Sequence, residues 1–417
     1  MPLIVLLGLI SIQVSGQYFQ QKTLSSKSLQ QNKTYYVGLP TGYNATDTVT
    51  KYPVIIFLHG ASVTATDMVN SIEPFLSNFL TKLLFDKLFK VIFIIPDGSC
   101  EPFKGSFYTN STLYGNYEDY IVKDMVEEIG SKYNTYKHRE KWSIMGHSMG
   151  GFGAMKIALK YPAKFIGVSS LSGPLDITYF KELLPIMLAE HGTAPPYDLS
   201  YTGSVTQLVY SMAGAFSPNL AATPPVMLPV KSTGAIDSSV LGLWENYNPI
   251  NFIKGWRGNP AMAVFTYCGD LDEFKLATPN QMFSDTLSKY SLPHTYIEDP
   301  NGDHVSSLFT SLPQGINFLY HVMDTAQVRN VTLINPALSI NTLNVYPNPA
   351  NERFFVSGAV DKSLQITIHN LSGQNVMQLE NPPLSQGIDI RRLVKGLYFV
   401  SLKGSNRYTS TIKLIKN

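Results

Sequence analysis

Residues 142–154 read WSIMGHSMGGFGA, and this stretch decides the fold. A short apolar strand runs into Gly146-His147-Ser148-Met149-Gly150, and a helix-like run from Gly151 to Lys160 follows. Strand, sharp turn and helix form the context in which a G-x-S-x-G motif marks a nucleophile. The two glycines let strand and helix approach without a Cβ clash, so the turn lifts the Ser148 hydroxyl above the sheet. The stretch therefore predicts a nucleophilic serine; the alternative is a Gly/Ser-rich turn that only packs.

Apolar runs on both sides of this turn alternate with helical periodicity. Continuous apolar runs are typical of parallel strands that are covered on both faces. The alternation predicts an α/β fold, a mostly parallel sheet with helices on both faces, over residues 17–323. The strand expectations are 33–38 as an edge strand, then 52–60, 91–97, 142–145, 165–173, 261–267 and 294–298.

Residues 174–260 break this rhythm, because Pro, Ser, Thr and Gly interrupt short helical pieces. An insertion of this size is expected to be cap-like and to lie at the top of the sheet. The alternative is a surface excursion without substrate contact.

The last part of the chain changes character after a mixed, polar linker at 324–342. Alternating runs at 353–358, 364–370, 396–402 and 410–415 are separated by turn residues. Period-two alternation at this spacing predicts a small all-β sandwich over residues 343–417.

The N-terminus is typical of a secretory signal peptide. Leu3 to Ile12 form a short apolar run, and Val14-Ser15-Gly16 offer small residues for cleavage, so residues 1–16 are predicted to be removed. A buried first strand is the alternative, since no Lys or Arg precedes the run. The 417-residue chain has a net charge of +2 with 15% charged residues, which gives no electrostatic basis for binding nucleic acid.

A nucleophilic serine needs a base within hydrogen-bond reach and a carboxylate that holds the base. In α/β-hydrolases the acid follows a later strand and the histidine follows the last one. His304 fits the base because it follows the last predicted strand and precedes the closing helix. Asp270, Asp272 and Glu273 crowd together after the preceding strand; the spacing from a glycine favours Asp272, and Asp270 remains the alternative.

The oxyanion of acyl transfer needs two backbone amides. Met149, the residue after the nucleophile, is expected to supply one of them. Ala61, in the loop His59-Gly60-Ala61-Ser62 after the first central strand, is expected to supply the other. The alternative is that this loop is an ordinary strand-end turn.

Residues 33–322 resemble the esterase-D-like family of α/β-hydrolases. The motifs that carry the resemblance are VIIFLHGAS, IIPDGS, GNYEDYIVKDMVEEI, GHSMGGFGAMKIALKYPAKF, CGDLDEF and NGDH. That family includes S-formylglutathione hydrolases, feruloyl and acetyl-xylan esterases, and mycolyltransferases. The resemblance implies a catalytic triad that needs no cofactor and no metal, made of Ser148, Asp272 and His304.

Substrate contacts are also implied. The resemblance places Tyr108 and Asn110 at the border of the acyl or alcohol pocket. His59 and His147 lie on the loops beside the nucleophile and are further candidates for substrate binding.

The tail resembles a C-terminal sorting domain of type IX secretion, type A. Val345-Tyr346-Pro347-Asn348-Pro349-Ala350 and Lys395-Gly396-Leu397-Tyr398-Phe399-Val400 carry this resemblance, together with the final run KLIKN. It implies an outer-membrane secretion machinery as a partner and a secreted or cell-surface location. A carbohydrate-binding β-sandwich is the alternative.

These features together predict a secreted serine carboxylesterase, with acylated polysaccharides as candidate substrates. An acyltransferase and an S-formylglutathione hydrolase-like thioesterase would use the same residues. A non-catalytic glycan-binding protein on a hydrolase scaffold is the alternative from another class.

Overall fold

The structure is a computed structural model, and it describes residues 18–77, 90–191, 203–325, 344–357, 364–370, 375–404 and 409–417. The predicted signal peptide and nearly all of the predicted linker lie outside these ranges. Contacts divide the chain into two compact units, Met1–Asn330 and Val331–Asn417.

The first unit is built on an eight-stranded sheet, of mostly parallel strands as predicted. The strand bounds are β1 Phe19–Ser26, β2 Gln31–Gly38, β3 Val54–Leu58, β4 Ile92–Pro96, β5 Trp142–His147, β6 Gly167–Leu171, β7 Ala263–Gly269 and β8 His294–Asp299. Their order across the sheet is β1-β2-β4-β3-β5-β6-β7-β8. The pairs β1–β2 and β2–β4 are antiparallel, and the other neighbours are parallel. The expected edge strand 33–38 is therefore an inner strand, because β1 pairs along its whole length.

Both faces of this sheet are covered, which explains the continuous apolar runs. In β3, Val54, Ile56 and Leu58 pack on one face, whereas Ile55 and Phe57 pack on the other. Helices cover each face, with bounds α1 Ala65–Ser77, α2 in the three consecutive segments Tyr117–Asp119, Tyr120–Met125 and Val126–Lys132, α3 Met149–Lys160, α4 Phe180–His191, α5 Ser204–Phe216, α6 Ser238–Trp244, α7 Pro249–Trp256, α8 Ala277–Lys289 and α9 Ser307–Thr325. The middle of α2, Tyr120–Met125, is a π-helical segment. Side chains of α1 and α9 belong to the core of one face, and those of α2, α3 and α8 to the core of the other.

The described part of the 174–260 insertion is largely helical and packs against the helix that follows Ser148. The ring of Phe216 lies 5.4 Å from those of Phe107 and Phe152 and 5.6 Å from that of Trp244, measured between ring centroids. The pairs with Phe107 and Trp244 are edge-on and the pair with Phe152 is tilted, and aromatic pairs at this separation add stability beyond the area they bury. The insertion is thus joined to α3 by an aromatic cluster.

Hydrogen bonds also join the two ends of the insertion. The side chain of Asn248 accepts from the amide of Ile177 at 3.0 Å and donates to Asp176 Oδ1 at 2.9 Å. Both polar side chains are buried, so breaking this contact would leave unpaired groups in the core.

The second unit consists of small antiparallel sheets. The strand bounds are β9 Asn344–Tyr346, β10 Arg353–Ser357, β11 Leu364–Asn370, β12 Asn375–Glu380, β13 Ile388–Asp389, β14 Gly396–Gly404 and β15 Thr409–Lys416. They form one sheet of order β9-β10-β13 and another of order β12-β11-β14-β15. Side chains of both sheets share one apolar core, so the predicted all-β sandwich is confirmed. In neither unit is any described helix both long and apolar enough to span a membrane.

Candidate active site

Ser148 occupies a strained turn between β5 and α3. Its backbone has φ 55 and ψ −121, a conformation that non-glycine residues rarely adopt and that is often found at active sites. The Ser148 amide donates to the Leu171 carbonyl at 2.9 Å, which ties the turn to the neighbouring strand. A Cβ on Gly146 would overlap the backbone of Gly150, and one on Gly150 would overlap the Leu58 carbonyl. The two glycines therefore allow the close approach that the motif predicted.

The structure brings Ser148, His304 and Asp272 into one hydrogen-bonded line. His304 Nε2 lies 2.9 Å from Ser148 Oγ, and His304 Nδ1 lies 2.7 Å from Asp272 Oδ2. Since a carboxylate only accepts, Nδ1 carries the ring proton and Nε2 is left to accept the serine proton. Asp272 is 1% exposed, and its other oxygen accepts from the Phe274 amide at 2.9 Å. This arrangement is able to activate a serine hydroxyl.

The position of the acid depends on two loops that approach each other closely. A Cβ on Gly269 would overlap the backbone of Gly302, so the loop after β7 can touch the loop that carries His304. Asp272 turns inward there, whereas Asp270 is exposed. Burial and a hydrogen bond with Asp270 raise the pKa of Glu298. The two candidate acids therefore point to different partners: Asp272 faces His304, and Asp270 faces the exposed carboxyl group of Glu298.

The main chain of His304 is held at both ends. Its amide donates to Glu273 Oε2 at 3.0 Å, and its carbonyl oxygen lies 2.8 Å from His147 Nε2. The ring of Phe274 packs edge-on against the His304 ring, with 4.7 Å between centroids. Both Glu273 and Phe274 lie in the CGDLDEF motif, but no pattern in the sequence indicates their contacts with His304.

His147 donates a hydrogen bond to the main chain of His304. Burial, and then the nearby His304, lower the pKa of His147 to about 3, so the ring is neutral and donates from Nε2 to the His304 carbonyl. The ring is 7% exposed. The structure thus assigns His147 an internal hydrogen bond, and substrate contact by this residue stays a prediction.

Two backbone amides near the Ser148 turn, those of Ala61 and Met149, are candidate oxyanion donors. Gly60 lies against the turn, since a Cβ built on it would be 3.5 Å from Ser148 Cβ. Within the described ranges, no residue accepts a hydrogen bond from the amide of Ala61 or of Met149. Met149 is the first residue of α3, where the amide is free and the helix dipole favours negative charge. These amides are the expected oxyanion donors.

Residues 26–311 match the family described as "Putative esterase". The chain belongs to this esterase family. A second match, over residues 344–417, is to the secretion system C-terminal sorting domain.

The chain is also similar to individual proteins, one matched by sequence and two by structure. An esterase of Mycobacterium tuberculosis is 32% identical over 130 residues, which are 30% of this chain and 26% of that relative. The match thus spans about a quarter of that protein's length. A ferulic acid esterase structure has a TM-score of 0.52 at 19% identity, covering 73% of this chain and 98% of that one. The fluorophosphonate-binding serine hydrolase F of Staphylococcus aureus has a TM-score of 0.50 at 21% identity, covering 74% and 98%.

Three residues that were expected to contact substrate, His59, Tyr108 and Asn110, make hydrogen bonds within the protein. His59 and Tyr108 have no exposed surface, and the Tyr108 hydroxyl donates to the His59 carbonyl at 3.1 Å. Both side chains are thus buried and bonded internally in this structure, and substrate contact by them stays a prediction. Asn110 uses its amide oxygen to accept from the amides of Glu118 and Asp119, at 3.0 and 3.1 Å, at the start of α2.

A buried ion cluster joins α2 to α3, the helix that follows Ser148. Lys156 donates to Glu118 Oε2 at 2.9 Å and to the Tyr108 carbonyl at 2.9 Å, and Lys160 donates to the other Glu118 oxygen at 2.6 Å. Burial would raise the pKa of Glu118, but Lys156, Lys160 and Tyr161 lower it to about 2. Burial lowers the pKa of Lys156 to about 8 against the pull of Glu118. The cluster therefore anchors the Tyr108 loop to the nucleophile helix.

Over the ranges that the structure describes, no group of three or more His, Cys, Asp or Glu side chains is arranged to hold a metal ion.

Proposed function

We propose that this chain is a secreted serine carboxylesterase in which Ser148 is the nucleophile. The observation that carries the proposal is the hydrogen-bonded line from Ser148 through His304 to Asp272. Membership of the esterase family supports it, because ester hydrolysis is the chemistry that such a line performs.

In the first half-reaction, Ser148 Oγ bonds to the ester carbonyl carbon while its proton passes to His304 Nε2. Asp272 accepts from Nδ1 throughout, and so keeps the ring oriented and stabilises the imidazolium. The carbonyl oxygen gains negative charge and is stabilised by the amides of Ala61 and Met149. The tetrahedral intermediate then expels the alcohol, which takes the proton from His304, and an acyl-enzyme remains.

The second half-reaction repeats these steps with water. His304 removes a proton from water as the water oxygen attacks the acyl carbon, and the same two amides stabilise the new oxyanion. Collapse returns the proton to Ser148 and releases the carboxylic acid. The same five residues thus serve both half-reactions in this proposal.

We further propose that the reaction takes place outside the cell, on acylated carbohydrate. Residues 344–417 match a secretion sorting domain, which supports export through the outer-membrane machinery. The similar solved structure named a ferulic acid esterase supports an ester of a carboxylic acid as the substrate, and the carbohydrate part is our proposal. Transfer of the acyl group to a hydroxyl acceptor would use the same site, and product analysis with an acceptor present separates transfer from hydrolysis.

Hydrolysis of p-nitrophenyl acetate tests the proposal. Ser148→Ala should lower kcat by at least about 10⁴-fold, and Asp272→Asn by about 10⁴-fold, because the ring then loses its orienting acceptor. Asp270→Asn is the matched control, since it removes a carboxylate two residues away at the surface, and its kcat should stay within about threefold of the parent. Equal rates for the parent protein and Ser148→Ala would refute the proposal.

A further inference from the structure

His59 is completely buried beside the Ser148 turn, and the mechanism above does not use it. Its ring lies between two main-chain groups: Nδ1 is 2.8 Å from the Gly60 carbonyl oxygen, and Nε2 is 2.8 Å from the Gly98 amide nitrogen. A carbonyl only accepts and a backbone amide only donates. The ring therefore carries its proton on Nδ1 and a lone pair on Nε2. Asp97 Oδ1 lies farther from Nε2, at 3.4 Å, so the Gly98 amide decides the tautomer.

The bond from Nδ1 fixes the orientation of one peptide group, the one between Gly60 and Ala61. In a trans peptide the C=O and the N–H point in opposite directions. Because the carbonyl of this peptide is turned toward His59, the Ala61 N–H is turned away from the ring. Gly60 itself lies against Ser148.

The main chain on either side of this peptide is also fastened. The Tyr108 hydroxyl donates to the His59 carbonyl at 3.1 Å, and the Ser62 amide donates to the Lys104 carbonyl at 2.7 Å. Ser62 has φ 62, so the chain turns sharply after Ala61. Ala61 thus lies between two anchored residues, and its amide is free for a ligand within the described part of the chain.

We propose that His59 is a positioning residue for the oxyanion site. In its Nδ1–H form it holds the Gly60–Ala61 peptide so that the Ala61 amide is directed at the carbonyl oxygen that gains charge in the reaction. This inference rests on the esterase function proposed above. His59 touches no substrate; it acts only through the main chain.

Three substitutions separate the two hydrogen bonds of the ring. His59→Asn places an amide nitrogen near the position of Nδ1 and keeps the donor to Gly60. His59→Gln places an amide oxygen near the position of Nε2 and keeps only the acceptor for Gly98. His59→Leu keeps apolar volume and removes both.

We expect kcat to fall strongly in the two variants that lose the donor to Gly60 and only slightly in the variant that keeps it. Loss of an oxyanion donor typically costs about 10² to 10³ in kcat, so His59→Leu and His59→Gln should fall by about 100-fold. His59→Asn should stay within about tenfold of the parent protein, and KM should change by less than about threefold in all three, because the amide acts on the transition state. His321→Leu removes an exposed histidine as the matched control. The inference is overturned if His59→Leu keeps full kcat, or if His59→Asn is no better than His59→Gln.

A second measurement needs neither turnover nor a variant that folds. Nitrogen NMR of the parent protein with labelled histidine should show a protonated Nδ1 and an unprotonated Nε2 for His59. A protonated Nε2 would overturn the inference, whatever the substrate assays show. If the parent protein cleaves no ester in a Ser148-dependent way, the proposed function fails, while this NMR result still decides the role of His59 in fixing the peptide.

Discussion

The burial of His147 makes a quantitative prediction about stability at low pH. Its pKa is lowered from 6.5 to about 3 in the folded protein. A group with a lowered folded pKa contributes stability that is present above its unfolded pKa and is lost as the pH falls toward its folded pKa. At about pH 5 the unfolded state has gained this proton and the folded state has not. Since pH 5 lies about 1.5 units below the unfolded pKa of 6.5, the unfolding free energy at pH 5 is about 2 kcal/mol lower than at pH 8.

His147→Gln isolates this contribution. The Gln amide nitrogen lies near the position of Nε2 and keeps a donor for the His304 carbonyl, but the side chain does not titrate. Urea unfolding should be followed by the fluorescence of Trp142, Trp244 and Trp256, which all lie in the hydrolase unit. Between pH 8 and about pH 5, the parent protein should lose about 2 kcal/mol more than the variant.

His321→Gln is the control for this measurement, because it removes an exposed histidine instead of a buried one. Its pH dependence should follow that of the parent protein. Parallel pH curves for the parent protein and His147→Gln would refute the reasoning, since His147 would then gain its proton as readily when folded as when unfolded.

Two further predictions concern packing and charge. Gly150→Ala adds a Cβ that overlaps the Leu58 carbonyl, whereas Gly242→Ala points into open space; urea unfolding should show a loss of about 3 kcal/mol for the first and a change below about 1 kcal/mol for the second. Equal effects would contradict the steric argument. Glu118→Gln leaves Lys156 buried without its carboxylate and should cost about 3 to 5 kcal/mol of unfolding free energy, part of which a second change, Lys156→Met, should restore. A double variant that is less stable than Glu118→Gln alone would contradict the charge argument.

Much of the candidate site was predictable because its steric demands are local. A Cβ on Gly146 or Gly150 would overlap backbone atoms, so both positions require glycine. Because the two glycines are only four residues apart, the motif is recognisable in a short stretch of sequence. His304 was recognisable because strand order in this fold places the base after the last strand. The choice between Asp270 and Asp272 could not be made from the sequence alone, since both are aspartates and they lie only two positions apart. Only the folded loops show that one is exposed and the other faces His304.

The failures have a physical cause as well. In β1 the buried residues of Phe19–Ser26 are Phe19, Leu24 and Ser26, so this edge strand lacks a clear alternation. It was overlooked, and β2 was assigned to the edge. Tyr108 fills the space that Gly98 and Gly153 leave open, and this packing could not be predicted, because sequence alone does not distinguish a packing tyrosine from one that borders a pocket.

The central claim is that Ser148 is an activated nucleophile, and its direct test is covalent labelling. The parent protein should be treated with a fluorophosphonate, and the modified residue located by mass spectrometry of its peptides. The account predicts one adduct per chain, on Ser148, and none in folded Ser148→Ala. An adduct on another residue, or an unlabelled but folded parent protein, would contradict it.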